Sequence, residues 1–218
     1  MTPLVTLAGH ARGTLPLDVL AALTLLSLVP FAVVMCTSFV RIVVILSLVR
    51  SAIGAAALPP NTVITGLALA LTFVVMSPTL NQISHDALEP YSRGEIRQSV
   101  FLERAFGPVR AFMLRQTRAG DLALFERVSR RGAEPAKQSP PSVLIPAFVV
   151  GELRDGFAIG FALYLPFVAI DLAVASILMG LGMFMLSPPI ISLPAKLLLF
   201  VMVDGWALVC GGVVASFR

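Results

Sequence analysis

The chain has 218 residues, 57% of them hydrophobic and only 13% charged, with a formal net charge of +4. Soluble domains average roughly 25% charged residues, so this composition excludes an ordinary water-soluble globule and indicates a membrane-associated chain of one or two domains. The small positive excess gives no case for nucleic-acid binding and at most a weak basic patch facing anionic lipid.

The first apolar region runs from Leu15 to Val49, with Asp18 near its start and Arg41 as its only other charge. It is longer than a bilayer core of about 30 Å requires, and Pro30 in its interior removes an amide donor. It is therefore either one bent helix or two shorter ones. The stretch "GAAALPPN" (Gly54–Asn61) breaks it, and a second apolar run, Thr62 to Leu80, is about spanning length.

Of the 28 charged residues (16 basic, 12 acidic), 17 fall between Asn81 and Ser142, which marks this stretch as a different environment. Val109, Phe112, Met113 and Gln116 recur at helical spacing and give a partial apolar face. Pro108 suits a first helical residue, and Asp121 suits the N-cap of a second short helix with Leu122, Phe125 and Val128 on one side. "EPAKQSPPS" reads as an extended linker.

The third apolar region, Gly156 to Leu186, carries one charge, Asp171, and a proline, Pro166. The fourth, Ile190 to Phe217, carries Lys196 and Asp204. The fold expected is all-α and membrane-associated, with long kinked helical hairpins and a small helical water-facing insertion. Its parts are an apolar hairpin over residues 1–80, a polar helical segment over 81–142 and a second apolar hairpin over 143–218. The two halves share a gross plan of long run, proline break and second run, which is weak evidence for an inverted repeat.

Cys36 and Cys210 lie far apart in apolar sequence and read as small buried hydrophobes, not as a disulfide framework or metal site. His10 and His85 form no metal spacing, and neither a nucleophile elbow nor a phosphate-binding glycine loop occurs. "GLGMFM" lacks the third glycine of a dinucleotide fingerprint. Neither catalysis nor a cofactor is indicated, and no signal-peptide pattern is evident at the start.

Charges in apolar surroundings carry more information. A charge at mid-membrane costs at least about 2.5–3.5 kcal/mol, so Arg41, Asp171, Lys196 and Asp204 should face a partner, a cavity or another subunit. Lys196 and Asp204 on one straight helix would stand roughly 12 Å apart, too far to pair. Ion pairs that hold helices in register are the favoured reading over a proton relay. "GFAIG" (Gly156–Gly160) is a small-residue pattern that lets helices approach closely. "MGLGMFMLSPP" (Met179–Pro189) sets flexible thioether side chains beside a helix-ending Ser-Pro-Pro. Methionine commonly fills core gaps, but broken backbone at membrane depth is tolerated mainly where it is buried in protein or lines a cavity.

Long ordered strings then carry a resemblance. "SFVRIVVILSLVRSAIGAAALPPNTVITGLALALTFVVMSP" (Ser38–Pro78), "FMLRQTRAGDLALF" (Phe112–Phe125), "LIPAFVVGELRDGFAIGF" and "LPFVAIDLAVASILMGLGMFMLSPPIISLPAKLLLFVMVDGW" are similar to the FliP/SctR family of type III secretion export gates. The resemblance runs from about Asp18 onward, and "VMVDGW" favours the flagellar branch. It implies a non-enzymatic core subunit of an export gate in the bacterial inner membrane, at the base of a flagellar or injectisome basal body. Much of the chain, including residues 81–142, would lie towards the periplasm. Several copies, about five, would wind round a passage for unfolded exported polypeptides, as heterologous non-closing contacts do. Two smaller membrane proteins, FliQ/SctS-like and FliR/SctT-like, are the implied partners. Met183, Phe184 and Met185 would form a deformable pore gasket, and Glu152 would pair with Lys196 of a neighbouring copy. The rival from another class is a secondary transporter or ion channel that uses Asp171, Lys196 and Asp204. A structural membrane scaffold is a third reading.

Overall fold

The computed structural model describes residues 17–54, 58–129 and 139–217. These residues are helical in nearly their whole length and contain no strand, as the all-α expectation requires. The chain divides into two units, Met1–Val33 and Val34–Arg218. Most of α1 (Leu17–Cys36) belongs to the first, where Ser27 donates from its hydroxyl to the Thr24 carbonyl at 2.8 Å. The second contains α2 (Phe39–Ile53), α3 (Asn61–Ile83), a π-turn at Ser84–Leu88, and α4 (Glu89–Ser92). It continues with α5 (Gln98–Gln116), α6 (Ala119–Val128), α7 (Pro141–Gly180), α8 (Pro188–Met202) and α9 (Gly205–Ala215).

The first apolar region is two helices, and the break falls at Thr37–Ser38 while Pro30 lies inside α1. The Phe39 amide donates to the Thr37 hydroxyl, and the Ile42 amide to the Ser38 carbonyl at 3.2 Å, which starts α2 afresh. A local hydroxyl alternative to the helical bond has displaced the break that proline suggested. α2 is rich in valine and isoleucine, poor helix formers by themselves, so its stability comes from burial. Ile42, Ile45, Leu46 and Val49 are wholly buried at helical spacing.

Two apolar clusters form the core. One joins α2 to Ile64 and Ala68 of α3, Phe167 of α7, Phe200 of α8, and Val209 and Val213 of α9. The other joins Met76 of α3, Phe112 and Met113 of α5, and Leu122 of α6 to Val143, Leu144, Ala147 and Phe148 of α7, with Cys36. Phe112 and Met113 thus occupy the apolar face expected of them. Cys36 is buried and Cys210 half-buried, and both are free.

Three local expectations are corrected here. Pro108 lies inside α5, not at its start, and the carbonyl it leaves without an amide belongs to Arg104, an exposed residue. α6 begins at Ala119, so Asp121 sits in its first turn instead of capping it. Val128 is exposed, because α6 turns Leu122 and Phe125 inward and its last turn leaves the core. Of the linker at 134–142, residues 134–138 lie outside those described; Ser139 and Pro140 lead into α7.

α7 is 40 residues long and continues through Pro146 and Pro166, a rod of about 60 Å. Among the described residues, Asn61–Ser92 and Pro141–Gly180 are each long and apolar enough to cross a membrane, and two bent helix pairs raise the number to four if each is one span. The expected close approach occurs between α2 and α7. Gly156 and Gly160 are buried, and a β-carbon on Gly156 would lie 3.3 Å from the Arg41 carbonyl, while one on Gly160 would overlap Leu48. Gly160→Leu should therefore force this seam apart and cost about 1–3 kcal/mol, read as a lower unfolding midpoint in detergent. A Gly160→Leu chain as stable as the parent would show that Leu48 swings aside freely.

Candidate functional site

α7 ends on glycine geometry. The Met183 amide donates to the Leu178 carbonyl at 2.9 Å and the Gly182 amide to the Met179 carbonyl at 3.1 Å, with Gly182 at φ 73°. This is a Schellman closure, and a side chain at Gly182 would be strained in it. Pro188 and Pro189 open α8, where missing amide donors cost nothing. Between these fixed ends, Leu181–Ser187 is exposed throughout. Met183 is 47% exposed, Phe184 79% and Met185 100%. The chain thus presents three large apolar side chains on a short loop anchored at both ends and buries none of them itself.

Two ionic clusters lie away from that loop. In the first, Arg41 of α2 is buried and its Nη2 donates to Glu152 Oε1 at 2.6 Å and to Asp155 Oδ2 at 3.4 Å, both on α7. Its Nη1 donates to the Ser216 carbonyl at 3.1 Å, and the guanidinium lies 4.1 Å from the Phe217 ring centroid. Gln116 of α5 accepts from the same Nη2, while its own amide donates to the Phe217 carbonyl, each at 3.4 Å. Arg118 donates to the free oxygen of Asp155 at 2.5 Å. One arginine therefore joins α2, α5, α7 and the residues after α9. The neighbouring Asp121 of α6 is buried and takes a two-pronged contact from Arg154, both bonds 2.7 Å.

In the second cluster, Lys196 of α8 is buried and donates to Asp171 Oδ2 of α7 at 2.6 Å and to the Ala52 carbonyl of α2 at 3.3 Å. The Ser192 hydroxyl donates to the other oxygen, Asp171 Oδ1, at 2.5 Å. Asp204 joins neither cluster. It is exposed at the break between α8 and α9, with φ 50°, where the two helices bend by 64°.

The expected intramembrane ionic residues are thus distributed among different partners. Arg41 meets Glu152, and Asp171 meets Lys196, while Glu152 and Lys196 of one chain do not meet each other. Reading along the sequence missed Asp155, Ser192 and Phe217, and placed Gln116 on the face of α5 without its role at Arg41. Two of these were signalled by spacing: Asp155 follows Glu152 by three residues and Ser192 precedes Lys196 by four, so each pair shares a helix face.

Comparison with known proteins agrees with this chain's plan. The model of the FliP family matches residues 22–213. The flagellar biosynthetic protein FliP of Pectobacterium carotovorum subsp. carotovorum is 51% identical over 213 residues, covering 96% of this chain and 81% of that protein. Its namesake in Aquifex aeolicus is 43% identical over 219 residues, covering 99% of this chain and 92% of that protein. In Bacillus subtilis the figure is 43% over 199 residues, 91% of this chain and 90% of the relative. With the family model matching residues 22–213 and relatives 43–51% identical over most of the chain, this protein belongs to the FliP family.

Proposed function

We propose that this chain is a component of the flagellar protein export apparatus and, within it, a core subunit of the type III export gate in the bacterial inner membrane. Several copies, with two smaller membrane proteins of the FliQ and FliR kinds, surround a passage for unfolded polypeptides, and residues 81–142 lie towards the periplasm. The observation that carries the reading is the loop at Met183–Met185: three large apolar side chains, exposed and uncovered, on a loop fixed at both ends. One copy gains nothing from such a loop. A set of copies that points these loops at a common axis gains an apolar seal. Thioether chains repack at low cost, so the seal parts for a polypeptide and closes again behind it. Phe184 makes it stiffer than methionine alone would.

A solute transporter would need its ionic residues gathered round a site. Asp171 and Lys196 are bound to each other, and Asp204 stands apart from both. The reading is tested by native mass in detergent, with the chain expressed alone and then with its neighbouring small membrane proteins. A complex of several copies with one or two partners is expected, and a monomer or dimer under both conditions would sink the assembly. In the assembled complex, the triple variant Met183→Ala, Phe184→Ala, Met185→Ala should raise ion permeability several-fold. A scaffold without a passage predicts no change.

A further inference from the structure

A seal made by several copies works only if each copy holds its loop in the same place relative to its own helices, and within Leu181–Ser187 there is little to set that place. The hydrogen bonds of the loop close the end of α7 and open α8 but do not tie one helix to the other. Among the described residues, the side-chain hydrogen bonds between α7 and α8 all run to Asp171. We infer that Asp171, Ser192 and Lys196 are a positioning clamp for the methionine loop, an inference that rests on the gasket reading above.

The geometry has three parts. First, both oxygens of Asp171 are used, one by Ser192 and one by Lys196, donors one turn apart on the same face of α8. Two bonds from one carboxylate fix the sliding of α8 along α7 as well as its distance, which a single bond would not. Second, the pairing is antiparallel about the loop. Asp171 faces Ser192 and Lys196, and about one turn farther from the loop Phe167 faces Phe200, their ring centroids 6.3 Å apart. Beyond the clamp, on that far side, α7 and α8 leave an apolar cavity of about 250 Å³ lined by Leu163, Phe167, Leu199 and Phe200, with Val49 and Leu208. Packing is loose there, so it cannot by itself hold the spacing at which the loop is presented. Third, Lys196 reaches past α7 to the Ala52 carbonyl in the last turn of α2, where a cation is favoured by the helix's negative end. α2 is the most buried helix of the apolar core, so the clamp is referred to a rigid element.

The consequence is a sealing defect without an assembly defect. The full chain is co-expressed with its partner proteins, and each variant is read twice, by native mass and by ion permeability of the assembled complex. Ser192→Ala removes one of the two bonds to Asp171, together with the longer 3.3 Å contact of the same hydroxyl with the Pro189 carbonyl in its own helix. It should assemble at the parental mass yet leak several-fold more than the parent. Asp171→Asn should leak more than Ser192→Ala, because Lys196 then loses its charged partner. The exchanged pair, Asp171→Lys with Lys196→Asp, should recover part of the seal. If the Met183–Met185 triple variant leaks while assembled Ser192→Ala and Asp171→Asn remain as tight as the parent, the clamp is overturned and the gasket stands. Should the triple variant itself remain tight, the gasket reading falls and takes the clamp with it. If Asp171→Asn fails to assemble, Ser192→Ala decides alone.

Discussion

Arg41→Ala is expected to destabilise the folded chain by about 3–5 kcal/mol, and Glu152→Ala by less, near the lower end of that range. The order follows from what each substitution leaves behind. Glu152 is fully buried, its Oε1 is bound to Arg41 and its Oε2 has no hydrogen-bond partner among the described residues. Without Arg41 this carboxylate has nothing to offset its loss of water. Arg41, by contrast, keeps Asp155, Gln116 and the Ser216 carbonyl when Glu152 is removed. The double variant Arg41→Met, Glu152→Leu should recover much of the loss, since apolar groups of similar volume often replace a buried ion pair at little cost. Unfolding of the detergent-solubilised chain by denaturant measures all three. If Glu152→Ala is the worse single variant, the arginine is not the hub described here.

Gly205→Ala is the second substitution with a large expected effect, a loss of about 1–3 kcal/mol from one added methyl group. A β-carbon at Gly205 would overlap three atoms of the Phe200 ring. That ring is buried, lies edge-to-face on Trp206 with centroids 5.3 Å apart, and is tilted against Phe167. The ring lines the apolar cavity between α7 and α8, and to yield it must swing into that space and give up its contacts with Trp206 and Phe167. Trp206 is the sole tryptophan, so its emission reports the site directly. The expected result is a red-shifted emission together with a lower unfolding midpoint. Unchanged emission and midpoint would show that the α8–α9 break is pliable and that its geometry is not set by Phe200.

What could be read along the chain were the features written at short range. Two glycines four positions apart, Gly156 and Gly160, mark a close helix contact, and here they face Arg41, Val44 and Leu48. The spacing of Phe112 and Met113 gave α5 its buried face for the same reason. Misreadings arose where one residue type serves two purposes. Aspartate caps helices and also pairs with arginine, and only the fold brings Arg154, 33 residues away, to Asp121. Proline breaks helices but is also carried inside them, at Pro30, Pro108 and Pro166 here, while a threonine hydroxyl made the break at Thr37. The partner of Lys196 lay 25 residues back across the methionine loop, on another helix, where no periodicity points.

The length of α7 has one more consequence. To fit a rod of about 60 Å inside a hydrocarbon layer of about 30 Å, it would have to lean about 60° from the membrane normal, beyond the range of roughly 0–40° that spanning helices adopt. Upright, it must stand well clear of the lipid at one end or both. Phe157, Phe161, Leu165, Leu172 and Ile177 are bare along its sides, and wherever they emerge from lipid they meet water unless protein covers them. A micelle round a single copy must cover that whole column by itself. The practical result is that this protein should be easier to keep dispersed when its neighbours are purified along with it and share the covering.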